Sequence, residues 1–192
     1  MKKITLSIGL LMAFAFGNAQ EKESFSKGNR IVSGSISFMK DSEGESESTE
    51  FQVSPRAGIF ITNNLLVGAA VGIGSQISKV GTEKTEDVTK YNVGAFARYY
   101  SSPLKKFSVF GHAGIGFENE KDLLAKVSTN SIDIRFSPGI SYFLSDKFII
   151  DAMVGSIGYN SSKTDEPDSE RSKNFNIDLD ITQIQFGLMY KF

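Results

Sequence analysis

The chain has 192 residues, with 21 Lys and Arg against 22 Asp and Glu, and a formal net charge of −1. That balance gives no electrostatic footprint for nucleic acid. The absence of cysteine removes disulfides, thiol chemistry, Cys-based zinc sites and lipoprotein anchoring.

The N-terminus opens with a basic Met1-Lys2-Lys3, a mostly apolar run from Ile4 to Phe16, and the small residues Gly17-Asn18-Ala19. This order predicts a cleaved secretory signal over residues 1–19, with the mature chain starting at Gln20. The apolar run is too short for a spanning helix, and nothing later approaches ~20 consecutive apolar residues. About 170 residues remain, a single domain's worth. They divide into a short N-terminal segment, 20–29, and a β-domain, 30–192.

From residue 30 onward the dominant signal is period-2 alternation, which marks half-buried strands. Eight strands are predicted. The first places Val32, Gly34, Ile36 and Phe38 on one face and Ser33, Ser35 and Ser37 on the other. The second sets Phe51, Val53, Pro55, Ala57, Ile59 and Ile61 against Gln52, Ser54, Arg56, Gly58 and Phe60. The third opposes Leu65, Val67, Ala69, Val71 and Ile73 to Gly68, Ala70, Gly72, Gly74 and Gln76. The fourth opposes Tyr91, Val93, Ala95, Ala97 and Tyr99 to Asn92, Gly94, Phe96, Arg98 and Tyr100.

The fifth strand has Phe107, Val109, Gly111, Ala113, Ile115 and Phe117 opposite Ser108, Phe110, His112, Gly114, Gly116 and Glu118. In the sixth, Ile132, Ile134, Phe136, Pro138, Ile140 and Tyr142 oppose Asp133, Arg135, Ser137, Gly139, Ser141 and Phe143. The seventh runs from Phe148 to Gly155. The eighth begins with Phe175, Ile177, Leu179 and Ile181, then shifts parity at Thr182-Gln183 before Ile184, Phe186, Leu188, Tyr190 and Phe192. A β-bulge there would restore the face. Pro55 and Pro138 each remove a ladder donor, which predicts local bulges at both.

Connections alternate in kind. Residues 62–64, 101–106 and 145–147 read as short turns; 40–50, 78–90, 119–130 and 160–173 read as longer, charged loops. The Ser/Glu-rich run from Glu43 to Glu47 reads as mobile and solvated. Residues 53–72 and 136–155 align without a gap, sharing Ser-Pro, Phe60/Phe143, Ala69/Ala152 and a closing Val-Gly. This is a weak repeat with a period of four strands.

A soluble up-and-down barrel would put the apolar face inside. Here aromatics of that face gather near strand ends: Phe38, Phe51, Tyr91 and Phe117 beside the long connections, and Tyr99, Phe107, Tyr142, Phe148, Tyr190 and Phe192 beside the short ones. Phe136 and Phe186 depart from the pattern. Two aromatic girdles about an aliphatic belt point to lipid outside. The opposite face mixes Gly and Ser with Phe, Arg, Asp and Glu, as a narrow lumen filled by side chains requires. The fold class expected is an all-β, eight-stranded antiparallel up-and-down transmembrane barrel.

On the segments Ser54-Pro55-Arg56-Ala57-Gly58-Ile59-Phe60 and Gly94-Ala95-Phe96-Ala97-Arg98-Tyr99-Tyr100, and the terminal Tyr190-Lys191-Phe192, the mature chain resembles the small outer-membrane β-barrel families (porin-like, OmpA/OmpX-type) of Gram-negative bacteria. The resemblance implies an outer-membrane location, with residues 20–29 in the periplasm and short turns facing it. It also implies contact with outer-membrane lipid and lipopolysaccharide, and handling by periplasmic chaperones and the barrel-assembly machinery. A terminal signal of Phe186, Leu188, Tyr190 and Phe192 would be read by that machinery. Activity is weakly specified, since such families include adhesins, small pores, structural barrels and a few lipid-modifying enzymes.

Inward-facing ionisable residues are Arg56, Arg98, His112, Glu118, Asp133, Arg135 and Asp151. Buried charges must pair or stay hydrated. They are expected to form a salt-bridge and water network plugging the lumen, with Arg135 paired to Glu118 or Asp133, and Arg98 level with Asp151. The sharper alternative is a narrow pore with these charges at its constriction. His112 is the single histidine and has no Ser-His spacing signature, so no enzyme activity is expected; a lipid A-modifying enzyme is the third reading. No cofactor, metal cluster or phosphate loop is signalled. The acidic run Asp41, Glu43, Glu45, Glu47 and Glu50 reads as solvated surface, with bridging of divalent cations to lipopolysaccharide as the alternative. The leading expectation is a monomeric barrel with a structural or adhesive role, contacting an unknown extracellular ligand through long surface loops.

Overall fold

A computed structural model of the protein describes residues 25–101, 106–166, 169–178 and 184–192. The predicted signal peptide, most of the 101–106 turn, and Leu179, Ile181, Thr182 and Gln183 lie outside the described residues. The strands are β1 (Arg30–Glu43), β2 (Ser46–Phe60), β3 (Leu65–Val80), β4 (Glu83–Tyr100), β5 (Phe107–Asp122), β6 (Val127–Phe143), β7 (Phe148–Val154), β8 (Ser156–Thr164), β9 (Ser172–Asp178) and β10 (Ile184–Lys191). β7 and β8 follow each other across Gly155 and form one stave of the wall. β9 and β10 form another, antiparallel to it.

Each stave pairs antiparallel with its neighbours in chain order, and β10 returns to β1 with Val32 opposite Tyr190 and Gly34 opposite Leu188. The result is a closed eight-stave barrel. Phe25, Phe192 and the short turns at 61–64 and 144–147 lie at one end, here the lower. No helix of the described residues is long and apolar enough to cross a membrane, so any crossing falls to strands.

The alternation resolves as expected of a barrel in lipid. Phe186 is 63% exposed on the outer surface while Met189, on the inward parity of the same strand, is fully buried. Outward aromatics pair directly across strands, Phe38 with Phe51 and Phe107 with Tyr142. At the lower rim Phe148, Tyr190 and Phe192 stack edge to face at 5.0 and 4.8 Å. In water such a continuous apolar belt would drive association; in a bilayer it is solvated.

Several expectations are corrected. Residues 40–50, 78–90 and 119–130 are strand extensions closed by tight turns rather than long loops: pairing runs to Glu43↔Ser46, Val80↔Glu83 and Asp122↔Val127. Gly44 and Gly81 take positive φ (61° and 62°) at two of these turns, a conformation glycine adopts without steric cost. The Glu43 to Glu47 run is therefore a hairpin end. Alternation fades there because both faces are wet above the membrane, so polarity stops reporting the strand. The 160–173 connection is shortened likewise, since β8 runs to Thr164 and β9 starts at Ser172.

The seventh strand does not stop at Gly155. Gly139 pairs with Met153 and Phe136 with Ile157, so Ser137 and Pro138 face three residues, Val154, Gly155 and Ser156. Gly155 has φ 68°, the left-handed residue of a bulge that moves the apolar parity from Val154 to Ile157. The irregularity expected at Pro138 thus sits in the adjacent stave. At Pro55 there is none: the β2–β3 register is the same at Val53↔Ile73 and Arg56↔Ala70, with only Ser54 and Pro55 unpaired between. The pairing of Pro55 with Gly34 on the other side holds the strand in place.

Lumen glycines make room for rings. A Cβ on Gly68 would lie 2.7 Å from Phe96 Cζ, and one on Gly139 would collide with the Phe110 ring and stand 2.8 Å from the Ala152 carbonyl oxygen. A Cβ on Gly116 would meet nothing nearer than the Val93 oxygen at 3.8 Å. Gly139→Ala is therefore expected to cost about 1–3 kcal/mol by overpacking, and Gly116→Ala to stay within about 0.5 kcal/mol of the parent. Urea unfolding in detergent micelles, followed by heat-modifiable gel migration, reads the difference.

Candidate functional site: a sealed lower lumen and a cavity above it

The lower lumen is apolar and aromatic. Phe60, Tyr100, Phe110 and Phe143 point inward from β2, β4, β5 and β6, all with 2% exposure or less. Phe25, from the segment before β1, enters among them. It stacks on Phe60 at 4.3 Å between centroids and lies 4.4 Å from Tyr100 and 5.1 Å from Phe143. The segment is fastened by its backbone: Gly28 N–H donates to the Phe60 carbonyl at 2.8 Å, and Phe60 N–H to the Asn29 carbonyl at 2.9 Å. Together these rings close the lower mouth.

Above them lies the buried charge pair. Arg98 on β4 and Asp151 on β7 meet in a direct ion pair, with side-chain exposures of 2% and 6%. Arg98 also donates to the Tyr100 hydroxyl at 3.1 Å, and its guanidinium carbon lies 4.1 Å from the Phe110 ring centroid. Ser141 donates to the other Asp151 oxygen at 2.5 Å. The desolvation of both ions is thus offset by an opposite charge and by hydrogen bonds to the remaining polar atoms.

The other predicted site residues occupy different surroundings. Arg56, His112, Glu118, Asp133 and Arg135 line a cavity of about 560 Å³ in the upper lumen. Arg135 donates to Asp133 at 3.3 Å near the rim, where its side chain is 47% exposed. His112 stacks on Phe96 at 5.4 Å, and Arg98 Nε approaches its Nδ1 at 3.5 Å. Arg56 and Glu118 make no hydrogen bond or ion pair among the described residues. The predicted residues thus fall into two groups: Arg98 and Asp151 lie with the aromatic rings of the lower part, and the other five border the cavity. Of the residues expected to form a terminal signal, Phe186, Leu188 and Phe192 are exposed on the outer surface, and Tyr190 is half-buried between Phe148 and Phe192.

Sequence reasoning missed several members. Phe25 lies outside any alternating strand, so no periodicity flags it. Ser141 and Tyr100 sit on the inward parity, and their partnership with Arg98 and Asp151 depends on cross-barrel register. At the upper mouth Lys90 lies 3.3 Å from both Glu50 and Glu120, inside segments read as loops.

An eight-stave barrel with an apolar outer belt, paired aromatic girdles and a charged interior is the architecture of a transmembrane β-barrel. The chain belongs to the outer membrane protein beta-barrel domain family, whose model matches residues 6–192. Among solved structures, it is similar to the outer membrane protein OprG from Pseudomonas aeruginosa, at 12% identity and a TM-score of 0.54, over 90% of this chain and 99% of that one. It is also similar to Neisserial surface protein A, at 18% identity and a TM-score of 0.49, over 86% and 98%. No curated protein matches the chain.

Replacing Asp151 with Ala strands the Arg98 charge and is expected to cost about 3–5 kcal/mol. The double variant Arg98→Met/Asp151→Leu recovers most of that loss, because an apolar pair of similar volume carries no desolvation penalty. Urea midpoints of the three proteins in micelles measure it.

Proposed function

We propose that the protein is a non-conducting barrel of the outer membrane with a structural or adhesive role. It contacts outer-membrane lipid and lipopolysaccharide through its belt and presents a β-structured collar to the exterior. The upper strand extensions form that collar, and the surface they offer a ligand is a rim of paired strand ends. The lower end, with Phe25 and Phe192, faces the periplasm. The terminal strand ending at Phe192 serves assembly by the barrel-assembly machinery.

The observation that carries this reading is the seal at the lower mouth: Phe25 packed against Phe60, Tyr100 and Phe143, with Arg98 and Asp151 paired above it. A continuous water path for ions would have to pass both layers, which argues for the structural reading over the passive pore. The extended collar favours a contact surface, since rigid elements position recognition residues better than mobile loops do.

Planar-bilayer recording tests the reading. The purified mature protein is expected to show no unitary current above the empty-bilayer baseline at 1 M salt, a roughly chosen condition at which even narrow pores conduct because charge screening is strong. Phe25→Ala opens part of the seal and is expected to give brief openings at most, since Arg98–Asp151 stays in place. Discrete, long-lived currents from the parent protein would establish the pore instead.

A further inference from the structure

The barrel wall is not equally closed around its circumference. β1 pairs with β2 along its whole length, from Arg30↔Ile59 to Glu43↔Ser46, but with β10 only from Ile31↔Lys191 to Gly34↔Leu188. Both strands continue upward from that point. The same register would set Ser35 opposite Gly187, Ile36 opposite Phe186, Ser37 opposite Gln185 and Phe38 opposite Ile184, and none of these pairs forms. β10 meanwhile stays paired with β7 up to Ile184↔Val154. Between Ser35–Phe38 on one side and Ile184–Gly187 on the other, the two edges are unpaired and leave a slit.

The slit begins between the two aromatic girdles, at the level of the lipid belt. Its outer lips are apolar and prominent: Ile36 is 73% exposed, Phe38 68% and Phe186 63%. Its inner lips are polar, Ser35, Ser37 and Gln185, and these same residues line the 560 Å³ cavity. That volume falls within the roughly 300–1,000 Å³ of small-molecule sites. Unpaired strand edges at membrane depth are tolerated where they border a water-filled or occupied cavity.

The cavity also holds a cation that no carboxylate pairs with directly. Arg98 is committed to Asp151, Arg135 to Asp133, and Lys90 to Glu50 and Glu120. Arg56 lines the same cavity, half-buried, without such a partner among the described residues. It stands opposite Ser33 on β1, two residues below the start of the slit. A guanidinium there presents a planar fork that matches a carboxylate or phosphate.

We propose that the slit and cavity form a binding site for one anionic acyl amphiphile, with its head group on Arg56 and its chain leaving between Ile36–Phe38 and Ile184–Phe186 into the lipid. This goes beyond a structural or adhesive barrel by assigning the lumen a ligand. The head group chemistry is shared by a free fatty acid, through its carboxylate, and by an anionic membrane lipid, through its phosphate.

The test uses the mature protein in nanodiscs of zwitterionic phosphatidylcholine. Nitroxide-labelled probes are added as stearate, as phosphatidylglycerol, and as a trimethylammonium amphiphile of the same chain. Electron paramagnetic resonance is expected to show an immobilised component that saturates at one anionic probe per barrel and is absent for the cation. Stearate alone responding identifies a free fatty acid; phosphatidylglycerol responding identifies a membrane lipid; either supports the site. Arg56→Gln is expected to weaken binding roughly tenfold or more, the loss of a charge-assisted hydrogen bond. Because the chain has no cysteine of its own, a Ser37→Cys/Gln185→Cys pair joined by a bifunctional maleimide can staple the slit and is expected to abolish binding even if Arg56→Gln does not fold. An immobilised fraction equal for anionic and cationic probes, or unchanged by the staple, would be ordinary boundary lipid and would overturn the proposal.

Discussion

The constraint on which the rest depends is that lipid offers no hydrogen bonds to a polypeptide backbone. Every amide that faces lipid must find its partner within the protein, and one without a partner must border a cavity, so a spanning sheet has to close on itself. Here closure falls to a short stretch: β1 and β10 meet over Ile31–Gly34 and Leu188–Lys191, flanked by the bond from Phe192 N–H to the Arg30 carbonyl at 2.9 Å. The girdle formed by Phe148, Tyr190 and Phe192 covers this seam from outside, and Met189 and Ile31 cover it from within. The last residues of the chain therefore complete both the ladder and the aromatic rim that anchors it.

Closure at eight staves fixes the lumen width, and the width dictates the interior. Rings as large as Phe96 and Phe110 fit only where the neighbouring position is Gly68 or Gly139. A charge fits only where its counter-charge and hydrogen bonds come with it, as Arg98, Asp151, Ser141 and Tyr100 do. Below that cluster the rings of Phe25, Phe60, Tyr100 and Phe143 pack together and are buried; above it the lumen opens into the cavity. The same economy of space that stabilises the lower half separates the upper cavity from the lower mouth.

Much of the architecture was legible because two solvents read the strands in opposite sense. Between the girdles one face meets lipid and the other a packed lumen, so Val32, Ile36, Ala95 and Ile115 alternate cleanly with Ser33, Ser35, Phe96 and Gly116. Beyond the girdles both faces meet water, and the segments around Glu47, Glu86 and Lys121 lost the alternation while keeping the ladder. The strand through Gly155 was cut short for a related reason: a bulge reverses parity, and periodicity alone reads a reversal as an end. The inward faces of Arg56, Arg98, His112 and Asp151 followed from parity. Which of them meet did not, because those contacts cross the barrel and depend on shear. Phe25 was illegible for want of any strand around it.

The central claim is that the first and last strands close a membrane-embedded barrel through the short seam between Ile31–Gly34 and Leu188–Lys191. Nuclear magnetic resonance of the mature protein in lipid nanodiscs tests this most directly, through cross-strand backbone contacts between β1 and β10. The account predicts contacts joining Val32 with Tyr190 and Gly34 with Leu188, with amides there protected from exchange, and none joining Ile36 with Phe186. A seam without the first two contacts, or a mature chain that stays soluble and folded without detergent, would contradict it.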